Sequence, residues 1–336
     1  MARILIAGAG ISGSYLLRLL IRRGVNPKEI EIVDPSPKTR CGIAPCGFAA
    51  TSHFIPLCQE VGLNPEKYIL RSLDVGYLDK IRIEVKGTFS IDKPAFIRDL
   101  LEGVEVASSP SGIAAERIID ATGIARAYIG EYDSDLLVPG LQRKVEFPHP
   151  PQARECLHHV GYSWVIPLEG NSAHVGIGSM TYDIDAMRKA VEELAEGAKT
   201  ICSCQGYVRS TGPILPLVQG NVWAVGEAGG IAEPLSGVGM VPAMVSAKLL
   251  VEHWDDPEGY EAAILGEYGW FRKTAAILYT WRNGGLLPIW DLGLWKKCAE
   301  FVGFKPNISY LIYRYLVLIV LQLPSVIQLL RSARRS

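Results

Sequence analysis

Apolar residues cluster at the very start of the chain. Residues 2–7 form a short hydrophobic run, and Ile11–Arg23 repeats its apolar positions at helical spacing until Gly24 ends it. Residues 29–34 (EIEIVD) return to a strand pattern, so 2–34 spell strand, turn, helix, strand. A Pro/Gly/Cys-rich loop is expected over 35–51. Ile81–Val85 alternates apolar and charged residues, the period of a half-exposed strand. Residues 94–101 read as a helix, 104–107 and 117–119 as strands, and DATG follows at 120–123. Between 141 and 180 the stretches KVEF, YSWVIPL and AHVGIG alternate and predict an antiparallel sheet. An acidic amphipathic helix is expected over 184–198, a buried strand over 221–226, an apolar helix over 242–254, and a helical, aromatic region over 257–336. No repeat or low-complexity segment interrupts this pattern.

Composition adds two constraints. Hydrophobic residues make up 49% of 336 and mean hydropathy is +0.17, on the apolar side for an enzyme and with ample core for one large or two modest domains. The net charge of −1, from 34 basic and 35 acidic residues, gives no bias toward nucleic acid. Seven cysteines, odd in number and scattered, with no secretory leader before the first strand, predict a reducing, cytoplasmic setting rather than a disulfide framework. Cys202-x-Cys204 lacks a second pair at zinc spacing, so no metal is expected.

Gly8, Gly10 and Gly13 form GxGxxG between a strand and a helix. The first allows a tight turn, the second lets a pyrophosphate approach the backbone, and the third permits close helix–strand packing. The helix N-terminus, with Ala9 and Ser12 in the turn, supplies N–H donors and a positive dipole to a negative group. Asp34 ends the next strand, where a carboxylate accepts ribose hydroxyls. This fingerprint alone does not separate NAD from FAD. A second segment, NVWAVGEAGGIAEPLSGVGM at 221–240, offers Gly226 and Glu227 at a strand end, then Pro234 and the turn Gly237-Val238-Gly239-Met240 at a helix start. Two such sites in one chain suit an extended cofactor with a pyrophosphate and a redox ring.

At these residues the sequence resembles the geranylgeranyl reductase family, including its archaeal digeranylgeranylglycerophospholipid reductases, within the flavoproteins of the p-hydroxybenzoate hydroxylase fold. The matching elements are the N-terminal GxGxxG, DATG at Asp120–Gly123, and Gly226–Met240. Tyr162-Ser-Trp164-Val-Ile-Pro167 with Val175-Gly176-Ile-Gly178 resembles the family's Y-x-W-x-F-P…G-x-G element, which faces the flavin along the substrate cavity. Arg40-Cys41-Gly42 resembles the family's R-C loop, and Asp92–Leu100 the helix behind the FAD. The chain departs from the family in carrying Glu227 for Asp, Ile166 for Phe and Lys93 for Arg, and in having only 13 residues between Val106 and Asp120.

The resemblance implies an α/β fold with three parts. A Rossmann-like FAD-binding domain is built from 1–55, 90–127 and 205–250; an antiparallel substrate sheet from 56–89 and 128–204; and a helical C-terminal region from 251–336. It implies FAD as cofactor, held by Gly8, Ala9, Gly10, Ser12, Gly13, Asp34, Arg40, Cys41, Gly42, Lys93, Asp120, Gly123, Gly226, Glu227, Pro234, Gly237, Val238, Gly239 and Met240. The substrate would lie on Tyr162, Trp164, Pro167 and Gly176, and the activity would be hydride transfer from reduced FAD to an isoprenoid carbon–carbon double bond. The electron donor would be NAD(P)H, a deazaflavin or a ferredoxin. An FAD monooxygenase or dehydrogenase of the same fold, and a flavin electron carrier docking a protein or quinone, are the alternatives.

Four readings stay open on the residues themselves. Cys41 either donates a proton near the flavin, forms a redox pair with Cys46, or simply packs. Tyr162 and Trp164 share one face of a strand and either line a cavity or fill a core; His174, like His158 and His159, lies near that sheet and either relays a proton or sits satisfied in the core. Residues 308–323 (ISYLIYRYLVLIVLQL) are short of the about 20 residues of a bilayer span. They read as a buried helix, as one wall of a lipid tunnel, or as a peripheral membrane contact beside Arg331, Arg334 and Arg335.

Overall fold

The computed structural model describes residues 3–35, 46–79, 81–112, 114–158, 161–180, 183–283 and 291–304. Arg40, Cys41, Gly42, His159 and the apolar stretch 308–323 lie outside the described residues.

The strand–helix–strand opening forms as its pattern dictates. Ile4–Ala7 is buried along its length and lies parallel between Ile30–Val33 and Arg117–Asp120. Val222–Ala224 continues the parallel sheet beyond Arg117–Asp120, and Val106–Ala107 and Val218–Gln219 are the edges. Ile11–Arg22 is the first helix, and it buries Tyr15, Leu16, Leu17, Leu19 and Leu20. Each such aliphatic side chain contributes roughly 1.5–3 kcal/mol by leaving water. This helix packs against Met240–Glu252, whose Pro242 is tolerated because it falls in the first turn. Tyr15 donates its hydroxyl to the Leu57 carbonyl at 2.9 Å, which ties helix Phe54–Glu60 to the same core.

The alternating stretches form a seven-stranded sheet in the order Lys199–Arg209, Leu137–Glu146, Ser172–Ser179, Gly161–Pro167, Ala153–His158, Val75–Leu78 and Ile81–Glu84. It is antiparallel except where Ala153–His158 meets Val75–Leu78. One face carries Leu141, Val145, Val165, Val175 and Ile177, covered by Met187 and Val191 of helix Ile184–Leu194. That helix stops short of the expected 198 because Gly197 adopts φ +75°, a left-handed turn that a helix does not continue. A three-stranded sheet of Ala49–Thr51, Thr88–Ile91 and Ile69–Ser72 completes the β structure among the described residues. Helices Pro257–Tyr268, Phe271–Arg282 and Leu292–Phe301 agree with the helical reading of the C-terminal region as far as it is described. None of the described helices is long and apolar enough to cross a membrane.

Candidate functional site

The glycine turn is shaped by contact on one side and openness on the other. Gly8 has φ +105°, and a β-carbon there would lie 2.2 Å from the Ala121 carbonyl oxygen. One on Gly13 would lie 1.9 Å from the Gly8 carbonyl oxygen, yet one on Gly10 would meet nothing within 4 Å. Gly10 is the N-cap of the first helix and has no side chain to cap its opening N–H groups, so their dipole faces open space. Asp34 sits at the end of the second strand, and its Oδ2 accepts from Ala9 N–H at 3.2 Å.

The second segment converges on the first. A β-carbon on Gly226 would lie 2.8 Å from Ser12 Oγ, and Gly226 N–H donates to Ser246 Oγ at 2.9 Å. Gly123 and Glu227 face each other, with Glu227 Oε2 3.4 Å from where a Gly123 side chain would begin. Glu227 Oε1 accepts from Arg209 N–H at 2.8 Å. Burial pushes the Glu227 carboxyl up, while Arg209 and Lys93 pull it back. Farther along, the buried Glu233 carboxylate accepts from Leu235 N–H and from both the N–H and hydroxyl of Ser236. It thereby shapes the loop that presents Gly237 (φ +66°), Val238 and Gly239 to solvent, while Pro234 and Met240 are buried in the protein. Gly239 is again an N-cap without a side-chain cap. A pyrophosphate-bearing cofactor fits two uncapped helix N-termini flanked by Asp34 and Glu227.

Asp120, read from the sequence as a cofactor contact, is engaged elsewhere. Its Oδ1 accepts from Thr122 N–H and hydroxyl, and its Oδ2 from Tyr128 and Ile129 N–H, all at 2.6–3.0 Å. It shapes the turn that brings Gly123 to the site. Arg209, which the sequence reading passed over, is 3% exposed and joins the parts. Its guanidinium donates to both Asp135 oxygens at 2.8 and 3.0 Å and to the carbonyls of Gly123, Ile124 and Glu227. A strand-end arginine has no local pattern that separates it from a surface one.

The face of the large sheet away from helix Ile184–Leu194 turns toward this region, with residues 46–48 packed against part of it. Tyr162, Trp164 and Ile166 share that face, with the rings of Tyr162 and Trp164 5.5 Å apart. Tyr162 donates its hydroxyl to the Ser236 carbonyl, joining the sheet to the second glycine loop. Pro167 alternates onto the opposite face with Ser163 and Val165. Trp164 pairs with Gly176, and a side chain there would meet its ring at 2.4 Å, so only glycine lets the indole lie flat on the strand. Gly178 and Gly140, paired to each other, and Gly206 beyond them continue this floor.

His174 is 4% exposed on the same face, and its ring meets Phe48 edge-on at 4.5 Å. Burial lowers its pKa to about 4, so it is neutral at pH 7. Cys46, Cys58, Cys156 and Cys204 are free thiols, whereas Cys202 is disulfide-bonded, which the reading of a reducing setting did not anticipate. Among the described residues no cluster of three or more His, Cys, Asp and Glu could hold a metal.

No family model matches the chain. A digeranylgeranylglycerophospholipid reductase of Methanosphaerula palustris is 32% identical over 99 residues, 27% of this chain. The match spans 25% of that relative's length. Among solved structures, a geranylgeranyl bacteriochlorophyll reductase-like protein of Thermoplasma acidophilum superposes with a TM-score of 0.70 at 17% identity, covering 98% of each chain. A flavoprotein/dehydrogenase of Cytophaga hutchinsonii gives 0.67 at 15% identity, covering 97% of this chain and 99% of its own. These likenesses agree with the α/β architecture and with the resemblance read from the motifs. In about a quarter of its sequence the chain is similar to digeranylgeranylglycerophospholipid reductases, and in its fold it is similar to a geranylgeranyl bacteriochlorophyll reductase-like protein.

Proposed function

We propose that the chain is an FAD-dependent reductase acting on a carbon–carbon double bond of an isoprenoid lipid. The observation that carries this reading is the facing of two surfaces. On one, the uncapped helix N-termini behind Gly10 and Gly239 stand beside Asp34 and Glu227; on the other lies the aromatic, glycine-floored face of Trp164 and Tyr162. The N–H groups after Gly10 would take the pyrophosphate, Asp34 the adenosine ribose, and Glu227 Oε2 the hydroxyls of the flavin side chain. Lys93 acts electrostatically on both Glu227 and His174 and would offset negative charge on a reduced ring. The flavin, when bound, supplies the hydride. Trp164 and Tyr162 would position the apolar chain against it and keep water out.

The test is spectroscopic and chemical. The purified chain should be yellow and release FAD rather than FMN. After reduction by dithionite, a geranylgeranyl lipid added without oxygen should reoxidise the flavin and gain two hydrogens per bond reduced. NADPH, a reduced deazaflavin and a reduced ferredoxin, supplied in turn, identify the class of electron donor. A protein that stays colourless after reconstitution with FAD overturns the cofactor assignment. Reoxidation by oxygen with a hydroxylated product, and none by any isoprenoid, overturns the reductase assignment and leaves a monooxygenase.

A further inference from the structure

Four buried side-chain atoms among the described residues lack a hydrogen-bond partner, and three lie on neighbouring positions of one sheet face: Gln142 Oε1, Trp164 Nε1 and His174 Nδ1. The fourth, Ser90 Oγ, belongs to the three-stranded sheet. Gln142 and Trp164 flank Gly176 from the strands on either side, and His174 is two residues from Gly176 on the same face. The nitrogen edge of the Trp164 indole overhangs Gly176, with Cε2 and Cζ2 nearest to where a side chain would begin.

The same three groups meet one backbone segment from the other side. Gln142 Nε2 donates to the Cys46 carbonyl at 3.1 Å. A β-carbon on Gly47 would lie 3.9 Å from Trp164 Nε1. The His174 ring lies close enough to the backbone of Gly47 and Cys46 to feel it electrostatically and packs on Phe48. The three partnerless atoms are thus held between the sheet and residues 46–48. Leaving each unsatisfied would cost roughly 1–3 kcal/mol.

Their chemistry specifies the occupant. A carbonyl accepts only from the NH2 end of Gln142, which fixes Oε1 as an acceptor. Neutral His174 with its proton on Nε2 offers Nδ1 as a second acceptor, and Trp164 Nε1–H is a donor. One donor and two acceptors, all neutral, match a molecule that accepts once and donates twice. An anion would meet two acceptors, and a cation would meet the indole N–H with Lys144 and Lys93 close enough to act on the His174 ring. We propose that Gln142, Trp164 and His174 bind one internal water molecule between the sheet and residues 46–48, and that this water fixes the plane of the Trp164 ring. The site consists of protein atoms alone and does not depend on which substrate is reduced.

Nuclear magnetic resonance of the full, 15N-labelled chain with its native cofactor content tests this. Of the seven tryptophan indole signals, the one lost in Trp164→Phe identifies Trp164. In the unmodified protein that signal should show a cross-peak to a long-lived water and slow exchange. Gln142→Met removes one acceptor at similar volume and should shift the signal and speed its exchange by at least about tenfold. Absence of the water cross-peak in the unmodified protein overturns the proposal, whether or not the variant folds. So does an unchanged Trp164 signal in a folded Gln142→Met, or a crystal structure with Nε1 bonded directly to Gln142 Oε1.

Discussion

Gly10 and Gly13 stand three residues apart and should fail in different ways. At Gly13 a side chain collides with the Gly8 carbonyl, so Gly13→Ala must push helix and strand apart and should lower the melting temperature. At Gly10 a side chain meets no protein, so Gly10→Val should fold normally. It would fill the approach to the helix N-terminus, and FAD affinity should fall at least about a hundredfold, measured as flavin content after dialysis. Equal flavin retention in a folded Gly10→Val would remove the cofactor from this turn. His174 makes a prediction of its own. Its folded pKa of about 4 lies below the unfolded value of 6.5, so between these values the unfolded chain binds the extra proton. Its contribution is therefore whole above pH 6.5 and is lost as pH falls toward 4, by roughly 3 kcal/mol in total. Chemical denaturation from pH 4.5 to 7.5 should show this slope, and His174→Phe should flatten it.

At the scale of elements, the sequence made some features plain and hid others. The opening strand–turn–helix–strand was legible because its apolar positions change period from strand to helix within a few residues, with Gly24 as a stop. The strand of Tyr162 and Trp164 was legible as well, because one face packs under a helix and alternation survives. Lys199–Arg209 was not. As the edge of the large sheet it exposes Ile201 and Tyr207 and tucks in Cys202, Cys204 and Gly206, so polarity does not mark its faces. The short strands Ala49–Thr51, Ile69–Ser72 and Thr88–Ile91 were missed because their pairing is set by distant segments. Of the site, the glycines announced themselves, whereas Gln142, His174 and Arg209 matter only through partners that pairing brings to them. Gly176 connects both kinds of residue. Gly176→Ala should lift the Trp164 ring off its strand, changing tryptophan emission and lowering the melting temperature, while Gly170→Ala, on a turn with open space, should leave that emission unchanged. An unaltered Trp164 environment in Gly176→Ala would contradict the flat placement of the ring.

Across the whole molecule, Arg209 joins the large sheet to both loops of the parallel one. Arg209→Leu leaves the Asp135 carboxylate without its ion-pair partner and the Ile124 carbonyl without a donor, takes one of two donors from the carbonyls of Gly123 and Glu227, and should cost about 3–5 kcal/mol by denaturant titration. Arg209→Lys keeps the charge without the fork and should recover only part of that loss. If Arg209→Leu matched the parent in stability, the clamp would be ornamental. The contact between Gly226 and Ser12 bears on a different question, the order of events during synthesis. The turn at residues 8–13 emerges first, but the segment that abuts it follows about two hundred residues later. At ribosomal speeds of 5–20 residues per second that interval is roughly ten to forty seconds. For that time the first helix has no Met240–Glu252 to pack on, and the apolar surface they share stays open. On the FAD reading proposed above, cofactor loading would be confined to the last stage of biosynthesis, and the nascent chain would be most vulnerable to aggregation just before it.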